Sequence, residues 1–361
     1  EGMFIEGYTR FVEPNVLEME DGQRIRAGRV IVATGSRPIV PAAWQAFRDR
    51  IITTDDFFEL EELPRSIAVV GLGVVGLELG QSLHRLGCDV VGVDLRDAIG
   101  GLSDPEVIKS AIEIIGKEFP LWLGHGAEIT EGSNGRLKVS AGENSIEVDR
   151  VFASIGRQPN VEKLGLEVIG APVDARGIPL YDPNTMQVGD LPVFLAGDVT
   201  GERPLLHEAG DEGRIAGQNA VSDRVTAYRR KTPLSITFCD PNIVQVGQSH
   251  ASLDMDTVAV GEVQMAPVGR ALIMAKNKGV IRVYAEKASG KLLGAEMVCA
   301  KAENLGHLLA WSIQQGLTVG DLLRMPFYHP VIEEALQAAL YDLYAKVDAK
   351  HPGPITELAT L

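Results

Sequence analysis

Apolar spacing divides the chain into stretches of different texture. Residues 3–33 read as β-structure: residues 4–11 and 15–19 flank a turn at Glu13-Pro14, and Asp21-Gly22 marks a hairpin turn before residues 26–33. After a loop through Pro38 and Pro41, residues 66–70 make a short apolar strand. Residues 74–86 have the length and period of a helix, and residues 89–94 make a second strand. This strand–helix–strand order opens a βαβ domain expected to run to about Pro159. Residues 192–196 read as another buried strand, followed by a helix over residues 208–220. From Thr232 the pattern changes. Short strands are expected at residues 257–265, 271–276, 279–285 and 292–298, separated by turns such as Asn277-Lys278-Gly279 and Ser289-Gly290-Lys291. Helices follow over residues 302–315 and 331–343, so this stretch is α+β, strands first and helices after.

A length of 361 residues allows two or three domains. The formal charge of −15 argues against nucleic acid and against an anionic membrane surface, both of which need clustered Lys and Arg. No stretch reaches the roughly 18 apolar residues of a spanning helix. The first residues, Glu1 to Tyr8, lack a basic region followed by an apolar run, so no signal peptide is visible. The chain begins with Glu, as a fragment or processed product would. The three cysteines, Cys88, Cys239 and Cys299, are too far apart for a zinc site and odd in number; they fit a reducing compartment and a cytoplasmic protein.

Gly71-Leu72-Gly73-Val74-Val75-Gly76 matches G-x-G-x-x-G, a weak pattern alone. Here it follows a strand and opens a helix. Gly71 permits the tight turn, Gly73 lets backbone approach a pyrophosphate, and Gly76 lets helix and strand pack closely. The helix N-terminus offers free N–H groups to the phosphates. Asp94 ends the next strand and suits the adenosine ribose hydroxyls, which favours NAD over NADP, although Arg96 nearby softens that choice. The bland alternative is a glycine turn that packs and binds nothing. Two further segments read both ways. Gly197-Asp198 ends the 192–196 strand, where an Asp either accepts from ligand hydroxyls or caps the next turn. Thr34-Gly35 ends another strand and is equally well turn chemistry. Phe327-Tyr328-His329-Pro330-Val331-Ile332-Glu333-Glu334 reads by itself as a Pro-started helix with acid in its first turn.

Taken together, these segments resemble the flavoprotein disulfide reductases, the class I pyridine nucleotide-disulfide oxidoreductases. Their order is that family's: Ala33-Thr34-Gly35, an inserted NAD domain leaving through Ala153-Ser154-Ile155-Gly156-Arg157-Gln158-Pro159-Asn160, then Gly197-Asp198-Val199. The resemblance spans essentially the whole chain. It implies an α/β architecture in which a Rossmann-like NAD-binding domain (58–160) is inserted in a partial FAD-binding domain (1–57 and 161–231), followed by an α+β dimerisation domain (232–361). It implies FAD and NAD as cofactors. Thr34, Gly35, Gly197, Asp198, Leu206 and His207 would lie on the FAD side, with Asp198 on the ribityl chain, and Glu212-Gly213 in the stretch that follows. Gly71, Gly73, Gly76, Glu78, Asp94 and Gly156 would lie on the NAD side, Glu78 near the flavin and paired with a Lys. The family's FAD-binding G-x-G-x-x-G, its redox C-x-x-x-x-C and that Lys are expected upstream of Glu1, so the chain is expected to be N-terminally truncated. Val74 stands where several members carry a Tyr that gates the nicotinamide pocket.

The family motif H-P-x-x-x-E maps onto His329 and Glu334 as an acid–base pair, with Glu333 solvated. A His there is similar to the dihydrolipoamide dehydrogenases, which oxidise dihydrolipoamide with NAD through FAD and the disulfide. The resemblance implies a homodimer serving the lipoyl domain of a 2-oxoacid dehydrogenase or glycine-cleavage complex. Glutathione-type reductases share the pair but prefer NADP. Mercuric reductases and soluble transhydrogenases share the fold and usually lack this His. The alternative of another class is a non-catalytic NAD-binding dimerisation module. His84, His125, His250, His307 and His351 are expected as surface or packing residues, and the three cysteines as structural.

Overall fold

The computed structural model describes residues 4–350 and 357–358; His351 lies outside them. The described residues form two compact units, residues 4–39 with 156–230, and residues 40–155 with 231–350.

In the first unit, Thr9–Glu13, Val16–Met19 and Arg24–Arg26 form an antiparallel meander. The Val30–Val32 strand pairs in parallel with Val193–Leu195, and Ser36–Pro38 pairs antiparallel with Arg157–Pro159. The Leu206–Val221 helix follows, and Ile215 and Ala216 bury its inner face against Phe194 and Ala196. It extends both ends of the expected 208–220 element.

The second unit holds a five-stranded parallel sheet in the order Ile51–Ile52, Arg150–Ala153, Ser66–Val70, Asp89–Val93, Leu121–Trp122. All five residues of Ser66–Val70 are buried, as expected of a central parallel strand covered on both faces. Two parts are not singled out by the sequence pattern: the Pro105–Ile115 helix, and an antiparallel sheet of Glu128–Glu131, Leu137–Ala141 and Asn144–Val148. The C-terminal part of this unit is a five-stranded antiparallel sheet ordered Leu234–Thr237, Asn242–Gly247, Leu292–Cys299, Val280–Glu286, Val258–Gln264. One apolar core runs through the Val74–Arg85 and Pro105–Ile115 helices and takes in Ile243, Val280 and Val298 of the C-terminal sheet.

The expected strand at 271–276 is instead a short helix, Gly269–Ile273. Leu272 N–H donates to Val268 O at 2.9 Å and Met274 N–H to Arg270 O at 3.1 Å. Of the apolar run only Ala271 is buried, while Leu272 and Ile273 are 53% and 67% exposed. Two consecutive side chains facing out is a helical arrangement that a strand's alternation forbids. A short apolar run does not separate the two by periodicity. The Glu333–Lys346 helix lies against Val258–Gln264, with Leu336, Leu340 and Leu343 buried. Leu340→Ala is expected to lower the unfolding free energy by about 2–5 kcal/mol, measured by urea titration at fixed protein concentration.

Candidate functional site

The glycine turn between Ser66–Val70 and the Val74–Arg85 helix is dictated by contact. A Cβ on Gly76 would stand 1.8 Å from Gly71 O and 2.7 Å from Ser154 Oγ; one on Gly71, at φ +94°, would stand 2.4 Å from Ser154 O. Ser154 Oγ donates to Gly71 O at 2.6 Å and reaches Val70 O at 3.0 Å, tying the turn to the neighbouring strand's end. Gly73 differs: a Cβ there meets nothing within 4 Å, so the space over the helix N-terminus is open. Gly73 is also the N-cap, with no side chain on the first N–H groups. These groups fit the pyrophosphate of a dinucleotide, which needs exposed N–H donors and the positive dipole end. Asp94 Oδ2 accepts Leu72 N–H at 2.6 Å and Oδ1 accepts Arg96 N–H at 2.8 Å. Each oxygen can accept a second donor, so the carboxylate retains capacity for ribose hydroxyls. Glu78 Oε1 accepts Phe238 N–H at 2.7 Å.

The strand-end residues of the other unit form a second cluster. Ser36 Oγ donates to Asp198 Oδ2 at 2.9 Å, and Arg157 Nε donates to Ser36 Oγ at 2.7 Å. Gly197 N–H donates to Glu212 Oε2 at 2.8 Å. Glu212 is buried, and burial pushes its carboxyl upward while Gly197 N–H and the Arg230 guanidinium pull it down. Arg230 also binds buried Glu208 at 2.5 Å. Asp198, a carboxylate on a strand end beside a glycine of positive φ, fits the hydroxyls of a flavin's polyol chain. Thr34 is engaged within the fold: its Oγ donates to Asn160 O at 2.8 Å, and Asn160 Nδ2 donates to Thr34 O at 2.9 Å. Gly35 O accepts Asn160 N–H, and Gly156 O accepts Ile39 N–H at 3.1 Å. Gly156 directly follows Ser154 and Ile155, whose backbone borders Gly71. Leu206 and His207 are exposed on the first turn of the Leu206–Val221 helix.

His329 and Glu334 come together. His329 Nδ1 lies 2.8 Å from Glu334 Oε1, and Glu334 Oε2 accepts Val331 N–H at 3.0 Å. The bond from His329, then that from Val331 N–H, holds the Glu334 carboxyl below its usual value. An ionised Glu334 keeps the proton on Nδ1 and leaves Nε2 as the basic nitrogen. The His329 side chain is 81% exposed, which leaves Nε2 accessible. Glu333 is not the imidazole's partner.

All three cysteines are buried and free, and burial raises each thiol, Cys239 to about 12. That is the opposite of a reactive thiolate setting. Among the described residues no His/Cys/Asp/Glu group could hold a metal, and no helix is long and apolar enough to cross a membrane. His84, His125 and His307 are partly or fully exposed, whereas His250 Nε2 stands 4.0 Å from buried Asp104. Ser36 holds Asp198 without any role assigned from the sequence, whereas Ser154 and Arg157, which hold Gly71 and Ser36, belong to the segment that resembles the exit from the NAD domain.

A family model described as pyridine nucleotide-disulphide oxidoreductase matches residues 3–213, and that family's dimerisation domain matches residues 234–340. The chain is 30% identical over 352 residues to a dihydrolipoyl dehydrogenase of Haloferax volcanii, covering 93% of this chain and 73% of that protein. It is 27% identical over 355 residues to a soluble pyridine nucleotide transhydrogenase of Mycobacterium bovis, covering 96% and 75%. It shares its fold with the HOCl-induced flavoprotein disulfide reductase RclA of Escherichia coli, at TM-score 0.80 and 21% identity, over 95% of this chain and 79% of that one. Gly76→Ala must part helix from strand, so it is expected to weaken NADH binding by at least about tenfold, read by calorimetric titration.

Proposed function

The chain belongs to the pyridine nucleotide-disulphide oxidoreductase family, whose members use FAD and NAD(P), and we propose that within it the chain serves dihydrolipoamide oxidation with NAD as acceptor. The dimerisation domain supports a homodimer. The observation that carries the reading is the His329–Glu334 pair at 2.8 Å. Flavin and nicotinamide, when bound, supply the two-electron transfer. Asp198 would bind the flavin's polyol hydroxyls, and the open N–H groups after Gly73 the dinucleotide phosphates. His329 Nε2 takes the proton that a dithiol releases on becoming a thiolate, and the imidazolium then stabilises that thiolate. Glu334 holds Nδ1–H and so fixes both tautomer and ring orientation. The thiols that exchange with the substrate are not Cys88, Cys239 or Cys299, which are buried. In this reading the dithiol is carried by a lipoyl domain, and the buried free cysteines are those of a cytoplasmic protein.

The likeness to a soluble transhydrogenase supports a second reading, exchange between pyridine nucleotides alone. A base poised for a dithiol has no part in that reaction. Comparison of His329→Ala, Glu334→Gln and Glu333→Gln in a polypeptide that also carries a C-x-x-x-x-C pair separates the two. Lipoamide turnover is expected to fall by about 10²–10⁴-fold for His329→Ala, less for Glu334→Gln, and to stay near wild type for Glu333→Gln. Electron transfer from NADH to an artificial acceptor needs no dithiol proton and should persist in all. Normal lipoamide turnover without the His329 imidazole would return this segment to a capped helix and favour transhydrogenation or a module that only binds NAD.

Cofactor preference gives a separate test. A carboxylate facing the adenosine ribose repels a 2′-phosphate, so NADH is expected to bind at least about tenfold tighter than NADPH, with most of the difference lost in Asp94→Ala. Calorimetric titration with each nucleotide measures it, and tighter NADPH binding would overturn the assignment.

A further inference from the structure

Glu296 is fully buried in Leu292–Cys299, the middle strand of the C-terminal sheet. The four donors that hold its carboxylate are neutral. Oε2 accepts Ser103 N–H at 2.8 Å and Asp104 N–H at 2.9 Å; Oε1 accepts Ser103 Oγ–H at 2.5 Å and His250 N–H at 3.0 Å. Three of these four bonds come from one end of the loop that follows the Asp89–Val93 strand. Asp104 is fully buried too. Its Oδ1 caps the Pro105–Ile115 helix through Glu106 N–H, and its Oδ2 accepts Arg282 Nε at 2.7 Å and the Tyr284 hydroxyl at 2.8 Å. The sheet therefore grips this loop end with two carboxylate linkages.

The rest of the loop holds the glycine turn. Both backbone polar groups of Leu72, between Gly71 and Gly73, are taken by it: Leu72 N–H donates to Asp94 Oδ2 at 2.6 Å, and Leu72 O accepts Gly100 N–H at 2.8 Å. Gly100 O in turn accepts Gln245 Nε2, from the same C-terminal sheet, at 3.3 Å. Hydrogen bonds thus hold the 94–104 loop to the turn at Asp94 and Gly100 and to Glu296 at Ser103 and Asp104. A buried carboxylate that has lost its donors, or buried N–H groups that have lost their acceptor, are costly, so the loop has little freedom to settle elsewhere.

We propose that Glu296 is a positioning residue for the dinucleotide site, setting the Gly71–Gly73 turn from within the C-terminal sheet. The inference rests on the dinucleotide reading of that turn. It makes the sheet that carries the dimerisation domain a direct determinant of nucleotide affinity.

The test titrates NADH into the full chain by calorimetry and follows amide hydrogen exchange at Leu72 and Gly100. Glu296→Gln, which turns an NH2 group toward N–H donors, is expected to weaken NADH binding by about fivefold or more and to speed exchange at both amides. Ser103→Ala removes one hydroxyl donor and should move both readouts the same way by less. Leu340→Ala loosens the core on the opposite face of the same sheet, which takes in Ala295 and Met297, and should lower thermal stability while leaving NADH affinity within about twofold. If Glu296→Gln does not fold, Ser103→Ala decides. Folded variants with wild-type affinity and wild-type exchange would overturn the proposal. So would an equal loss of affinity in Leu340→Ala, which would make the effect one of general stability. A wild-type chain that fails to bind NADH would instead overturn the dinucleotide reading, and this inference with it.

Discussion

Everything around the nucleotide turn depends on how closely helix and strand approach one another. At Gly76 the approach leaves no space for a single methyl group, since a Cβ would lie 1.8 Å from Gly71 O. That proximity starts the Val74–Arg85 helix directly at the end of the Ser66–Val70 strand, so its first N–H groups open at the sheet's C-terminal edge. Ser154 secures the neighbouring strand's end to the same turn through Gly71 O. The parallel sheet, its loops and the open space over Gly73 are arranged around this contact.

A second regularity is the use of carboxylates to organise backbone. Asp94 holds Leu72 N–H, Glu212 holds Gly197 N–H, Glu296 holds Ser103 and Asp104, and Glu334 holds Val331. Each fixes a local stretch of backbone, through bonds to a carboxylate that are stronger than neutral pairs provide. This usage reconciles a chain of charge −15 with an anionic dinucleotide. The phosphates would meet unpaired N–H groups at a helix N-terminus, while the acidic side chains face other backbone amides or ribose hydroxyls. Local field, not net charge, governs such binding.

The His329–Glu334 pair illustrates how a motif acquires chemical meaning. By spacing alone, His329-Pro330 and two following acids describe a helix start. In the fold the two acids are not equivalent: Glu334 reaches back to Nδ1 and to Val331 N–H, and Glu333 does neither. The helix's first turn thus supplies the acid that holds Nδ1, while the His329 ring before it stays exposed at Nε2.

Most of this protein's local structure is legible in the linear chain because its causes are local. Ser66–Val70, the helix after it and the Asp89–Val93 strand follow from apolar spacing and from glycines that the turn demands. The His329–Glu334 segment and the strand-end Asp198 are visible as short motifs, but by themselves they read as helix and turn chemistry, and only their resemblance to a family's motifs suggests a site. Where the cause was long-range, periodicity could not supply it. The apolar run after Arg270 is a helix because only Ala271 finds a core to enter. Glu296 appears in the chain as one acid in an apolar strand; its partners stand 193 and 192 positions away. Apolar patterning and turn chemistry act over a few residues and are written in the chain. The pairing of a buried carboxylate with the N–H groups of a distant loop depends on which surfaces packing brings together, and folding alone decides that.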